Sequence, residues 1–204
     1  MSTIYTLNGK VLKNSANDKW LIKKETPVDP YNPLGLPPFT IRCKFKSGYT
    51  PSMGDSQTLV DAGENVWDIY KNSTDWSSLF VWNSNLLVVL GANTTGVTNM
   101  SEMFSNSTTI TSIPLFDTRN VSTTNRMFYR CSITSIPLFD TSSITNIAEM
   151  FSGCTNVQSG ALALYQQAYT QTNPPNIHHR CFRNCGSNTV TGASELAQIP
   201  DDWK

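Results

Sequence analysis

Val97-Thr-Asn-Met-Ser-Glu-Met-Phe104 returns as Val121-Ser-Thr-Thr-Asn-Arg-Met-Phe128 and again as Ile144-Thr-Asn-Ile-Ala-Glu-Met-Phe151, so phenylalanine recurs after 24 and then 23 residues. Behind the first two units runs Ile110-Thr-Ser-Ile-Pro-Leu-Phe-Asp-Thr118, repeated as Ile133-Thr-Ser-Ile-Pro-Leu-Phe-Asp-Thr141. Three residues after Phe128 and Phe151 come Cys131 and Cys154, and Ser107 holds that place in the earlier unit. A fixed period of this length marks a stacked-repeat architecture. Val121, Thr124 and Phe128 stand at i, i+3 and i+7, which predicts a helical segment with one apolar face. Ile133 and Ile136 then point inward from an extended stretch that a proline ends. A single unit cannot cover its own apolar side; stacked units bury it against each other, and stability becomes a sum over neighbours. Equivalent residues should therefore form files, Phe104, Phe128, Phe151 and Phe182 in one and Cys131, Cys154 and Cys185 in another.

Degenerate copies flank these units. Phe80 lies 24 residues before Phe104, so Trp76–Gly96 reads as an irregular first coil. Cys181-Phe-Arg-Asn-Cys185 repeats the Phe-x-x-Cys spacing after an insertion, Gly160–Ile177. Within the insertion, Ala161–Tyr169 predicts a short helix that Pro174-Pro175 stops.

These units resemble the BspA-like leucine-rich repeats found in surface proteins of Bacteroides and mycoplasmas and in phages of gut Bacteroides. The resemblance covers Trp76–Cys154, and the leader from Ile41 to Trp76 is similar to one that precedes such repeats in phage-encoded proteins. It implies an α+β fold: a right-handed, leucine-rich-repeat-like solenoid of about four to five coils with a small N-terminal β segment. It also implies a binding or structural role without enzyme activity.

Composition narrows the function classes. Lys and Arg total 15 and Asp and Glu total 15, giving no net charge, and charged residues are 15% of the 204 against about 25% in an average soluble protein. Ser, Thr and Asn make up the difference. A chain without surplus Lys and Arg is a poor nucleic-acid binder and a poor polybasic membrane-surface protein. The longest apolar run, Leu86–Leu90, is far short of the roughly 20 residues of a spanning helix. Five widely spaced cysteines, an odd number, with no apolar signal segment at the start, point to cytoplasmic synthesis with free thiols.

The N-terminal third reads as three pieces. Residues 1–25 contain Asn8-Gly9 between two apolar alternations, the strongest short hairpin signal. Residues 26–38 hold five prolines and read as an extended linker. Residues 39–75 supply the leader and N-terminal cap, with a strand over Phe39–Phe45, and residues 76–204 hold the repeats. The hairpin either docks on another protein or folds onto the first coil.

Candidate chemistry is sparse. His178, His179, Cys181 and Cys185 lie within eight residues, but their spacing is unlike common zinc sites and the repeat column accounts for Cys185. Asp117 and Asp140 occupy equivalent Phe-Asp-Thr turns and read as turn formers rather than as a glycosidase pair. Trp67, Trp76 and Trp82 cluster where the repeats begin; they seal the core there or form a sugar-stacking platform. No catalytic, cofactor-binding or metal-ligating residue is assigned, and no cofactor. The expected function is a non-enzymatic phage virion structural protein: a head or tail fibre, decoration or attachment component displaying a binding surface. Its partners are other virion proteins, through the N-terminal segment, and a host surface glycan or protein. It is expected to be a homo-oligomer, a trimer by analogy, with no nucleic acid and no membrane insertion. The alternative is a bacterial cell-surface adhesin.

Overall fold

The computed structural model describes residues 5–7, 10–12, 28–52 and 57–204. Strands β1 (Tyr5–Leu7) and β2 (Lys10–Leu12) pair antiparallel with Leu7 opposite Lys10, on either side of Asn8-Gly9. Strands β3 (Thr40–Phe45), β4 (Thr58–Gly63), β5 (Val66–Tyr70) and β6 (Leu86–Asn93) form an antiparallel sheet in the order β4-β5-β3-β6. Glu64 and Asn65, both left-handed, join β4 to β5, the primed turn geometry that matches strand twist. Period-2 alternation puts Ile41, Cys43 and Phe45 into the core with Ile69, Leu86 and Val89. On the opposite face Arg42 forks onto Asp68 through two bonds of 2.6 Å.

Residues 28–38 of the Pro-rich stretch are folded into turns beside this sheet. The Asn32 side chain donates to the Leu36 carbonyl at 3.0 Å and accepts from the Leu36 N–H at 2.9 Å. Asn93 on β6 donates to the same carbonyl at 2.8 Å, and Leu36 is buried. Gly91 leaves room for Leu34, whose Cδ1 would sit 2.8 Å from a β-carbon there.

The expectation of an α+β, right-handed leucine-rich-repeat-like solenoid of about four to five coils with a small N-terminal β segment is overturned. The regular structure of the described residues is mostly β: the four-stranded antiparallel sheet, with two short helices, α1 (Ala161–Thr170) and α2 (Val190–Ala197). The expected first coil gives Leu86–Asn93 to that sheet as β6. The segments read as helical from Val121, Thr124 and Phe128 are runs of turns, and the units meet in isolated parallel bridges, Asp75 to Asn99 to Thr123 to Asn146 to Ile177.

The hydrogen bonds show why a helix does not form. Alternate N–H groups turn inward on their own unit: Met127 donates to Thr124, Tyr129 to Arg126, and Cys131 to Phe128. The intervening ones leave it: Arg126 donates to Ala148, Phe128 to Met150, and Arg130 to Ser152, all at 2.9 Å. A helix would spend every donor on its own chain. Here half of them join neighbouring units, at the cost of a left-handed residue at every fourth position, as at Glu102 and Asn106, Arg126 and Arg130, and Glu149 and Gly153. Such a conformation costs about 1–2 kcal/mol for a residue with a β-carbon; the cross-unit bonds offset it.

The file of phenylalanines is present. Ring centroids lie 5.3 Å apart from Phe80 to Phe104, 5.4 Å from Phe104 to Phe128, 5.4 Å from Phe128 to Phe151, and 6.0 Å from Phe151 to Phe182. Phe45 of the sheet meets one end of the file and Trp203 the other. The cysteine column has a polar task besides filling space. Cys131 Sγ donates to the Phe104 carbonyl at 3.0 Å and Cys154 Sγ to the Phe128 carbonyl at 2.9 Å, as Ser107 Oγ does to Phe80 at 2.6 Å.

Helix α1 starts against α2. The Glu195 carboxylate of α2 accepts from the N–H groups of Gly160 and Leu162 at 3.3 and 3.1 Å, satisfying donors a helix start leaves free. Thr189 caps α2, accepting from Gly192 N at 3.0 Å, and its hydroxyl donates to the Val157 carbonyl at 2.6 Å. Gly192 passes so close to Val157 O that a β-carbon there would clash.

Candidate ligand-binding cleft

The first unit of the stack, Thr74–Asn85, follows β5 directly and leads into β6. Its local geometry is set by short polar side chains. Asp75 Oδ1 accepts from Ser77 N at 2.8 Å, and Asn83 Oδ1 accepts from Asn85 N and Leu86 N at 3.0 Å each. The hydrogen bonds from Ser77 hold the Asp75 carboxyl below the usual carboxylate range. Trp76 is fully buried, its indole N–H donating to the Lys71 carbonyl at 3.2 Å. Trp82, six residues on, is 71% exposed and left-handed.

Being first, this unit has an unfinished edge. Asn99, Ser101, Met103 and Ser105 each accept an N–H from the unit before them, through Trp76, Ser78, Phe80 and Trp82. The equivalent carbonyls of Asp75, Ser77, Leu79 and Val81 receive no donor among the described residues. A cleft of about 480 Å³ opens along this edge. Its floor is Ser77–Asn85, and Tyr49, Ser52, Gln57 and Lys71 form the wall. Tyr49 is held by Phe45, ring to ring at 5.3 Å. Gln57 Oε1 is buried without a hydrogen-bond partner among the described residues. Buried acceptors are rarely left unpaired in folded proteins, and each costs about 1–3 kcal/mol.

The opposite end is closed. Trp203, in a 3-10 turn (Asp201–Trp203), accepts from Phe182 N at 2.9 Å and stacks on the His178 ring at 4.4 Å. His178 Nδ1 lies 3.0 Å from the Pro175 carbonyl and must donate to it; Nε2 faces Asp202 at 3.4 Å. His178 is thus part of the seal, His179 is exposed, and Cys181 and Cys185 are buried in the core. The four do not converge, and among the described residues no group of three or more His, Cys, Asp or Glu could hold a metal ion. All five cysteines are buried and free. Burial pushes the Cys131 and Cys185 thiols up to about 12 and holds Cys43, Cys154 and Cys181 well above the ordinary thiol value, so they are neutral and unreactive in the folded chain.

Asp117 and Asp140 are turn formers. Asp117 accepts from Arg119 N and forks with its guanidinium at 2.8 Å, which holds the carboxyl below its ordinary range; Asp140 Oδ1 accepts from Ser142 N at 2.9 Å. Of the three tryptophans, Trp76 seals the core, Trp67 is half-buried on β5 beside Gly48 and Glu64, and Trp82 lines the cleft. Sequence reasoning placed the tryptophans at this end but missed the row of carbonyls that receive no donor among the described residues. Its only sign in the sequence is where the repeats begin.

Fold and cleft together define a small, mostly β repeat protein with one sealed and one unfinished end. The chain belongs to the family described as "Mycoplasma protein of unknown function, DUF285", whose family model matches residues 55–165, from β4 into α1. No curated protein and no solved structure matches it significantly.

Proposed function

We propose that the chain is a non-enzymatic binding and display protein of the BspA-like kind, carried on a phage particle as a fibre, decoration or attachment component. The observation that carries the binding part is the cleft at the unfinished end, where three backbone acceptors, an amide oxygen without a partner among the described residues and an exposed indole meet. The stack behind it is rigidly cross-bonded and suits a surface that must hold its shape outside a cell. In this reading residues 1–25 dock on other virion proteins and the chain assembles as a homo-oligomer, a trimer. Mass spectrometry of purified particles tests the placement: the chain should co-purify with capsid or tail proteins at a fixed stoichiometry. Its absence from particles would refute it. The second reading, an adhesin on a bacterial surface, is favoured by the mycoplasma family match. Protease shaving of intact cells should then release peptides of this chain.

A further inference from the structure

We propose that the cleft at the unfinished end binds a neutral oligosaccharide, with the Trp82 indole under a sugar ring and the carbonyls of Ser77, Leu79 and Val81 accepting its hydroxyls. The inference rests on the reading of the chain as a binding module, and not on which particle or cell carries it. The cleft's hydrogen-bonding character is lopsided. Besides the three carbonyls it holds Gln57 Oε1, buried and unpartnered among the described residues. A ligand that fits must bring donors. Three classes do so: a polyamine, a peptide backbone and a sugar.

Charge separates the first. Among the described residues Lys71 lines the cleft and no carboxylate does, so there a polycation meets repulsion without compensation. Shape separates the second. A further backbone unit laid on the edge would have to span Asp75 to Trp82 as the existing units do. Tyr49, Ser52 and Gln57 wall the same cleft as Ser77–Asn85, which narrows the space for such a unit, and the Tyr49 ring packs on Phe45. What remains is a cleft of about 480 Å³, within the range of about 300–1,000 Å³ usual for small-ligand sites. Sugar hydroxyls donate and accept, so they also meet Ser77, Ser78, Asn83 and Ser84. An aromatic face exposed beside such a row suits the apolar face of a pyranose, since an indole offers both a broad apolar surface and a polar edge. Trp82 also departs from its column. The same left-handed place holds Asn106, Arg130, Gly153 and Asn184 in the later units, so the indole is not a requirement of the stack.

That column supplies the test. Trp82→Asn places in the first unit a residue the stack already accepts twice, and Trp82 is exposed, so the variant should fold. The whole chain is titrated with maltohexaose, cellohexaose and mannohexaose to roughly 10 mM. Trp fluorescence and the carbonyl carbon shifts of Ser77, Leu79 and Val81 are followed. Spermine and a peptide of residues 99–107 serve as comparators. Expected is saturable binding of at least one hexasaccharide, with shifts at those carbonyls and a loss of at least about tenfold in affinity in Trp82→Asn. The proposal is overturned by no binding of any of the three sugars, by binding that Trp82→Asn leaves unchanged, or by shifts at those carbonyls with spermine or the peptide alone. Failure of the sugars with binding of the peptide leaves the chain a binding module and removes only the ligand class. Failure of all probes counts against both.

Discussion

Replacing Phe128 by alanine removes the middle ring of the file. Phe128 is fully buried and lies 5.4 Å from Phe104 and from Phe151, 6.3 Å from Phe116, and 6.2 Å from Phe139. Truncation of a buried phenylalanine costs about 3–5 kcal/mol through lost transfer energy and the cavity left behind. Rigidly cross-bonded backbones above and below hold the cavity open, because Phe128 N is tied to Met150 O and Met127 O to Phe104 N. The loss should therefore fall near the upper end, about 4 kcal/mol or more, out of the 5–15 kcal/mol typical of a whole domain. With a urea slope of about 2 kcal/mol per molar, the midpoint moves down by about 2 M. Equilibrium urea unfolding by circular dichroism measures this, and Phe128→Leu, which keeps most of the volume, should lose less than half as much. A loss below about 1 kcal/mol for the alanine variant would refute the buried, unrelaxing file.

Other expectations test separate contacts. Cys131→Ser should stay within about 1 kcal/mol of the parent because Ser107 performs the same donation one unit earlier, whereas Cys131→Ala should lose about 1 kcal/mol more; urea unfolding distinguishes them. Gly192→Ala drives a β-carbon into the Val157 carbonyl and should cost about 2–3 kcal/mol by thermal unfolding, separating α2 from the stack. The Asp117 carboxyl is held below its ordinary value by Arg119, so its contribution is present above the unfolded value of about 4 and is lost as pH falls through the lower folded value. Stability measured across that acid window should fall less steeply in Asp117→Asn than in the parent.

The sequence carries the repeat, and with it the pairing of Phe80, Phe104, Phe128, Phe151 and Phe182, because equivalent side chains recur at a period that stacking enforces. Helix α1 was legible for another reason: its Ala-Leu run is local and Pro174-Pro175 stops it. The conformation of each unit was not legible. Spacing of i, i+3 and i+7 puts residues on one side of a helix, but turns with a left-handed residue at every fourth position also bury Val121, Thr124 and Phe128. They bury Met127 beside Phe128 too, which a narrow helical face does less readily. Glu102, Arg126, Glu149 and Arg180 carry that left-handed geometry, and none is a residue type that advertises it. Of the sheet, the strand at Phe39–Phe45 was legible by its alternation; the other three strands escaped because β4 and β5 meet at a turn whose left-handed residues are Glu64 and Asn65, and β6 joins β3 only through pairing distant in sequence. Helix α2 was missed because Val190–Ala197 is short and mostly exposed. The cleft depends on one unit having no predecessor among the described residues, a fact of stacking rather than of any motif.

Correlations across hydrogen bonds in an isotope-labelled sample test the cross-unit bonding directly. The structure requires the amides of Arg126, Phe128 and Arg130 to couple to the carbonyl carbons of Ala148, Met150 and Ser152. Coupling of the same amides to carbonyls four residues back in their own unit would contradict it.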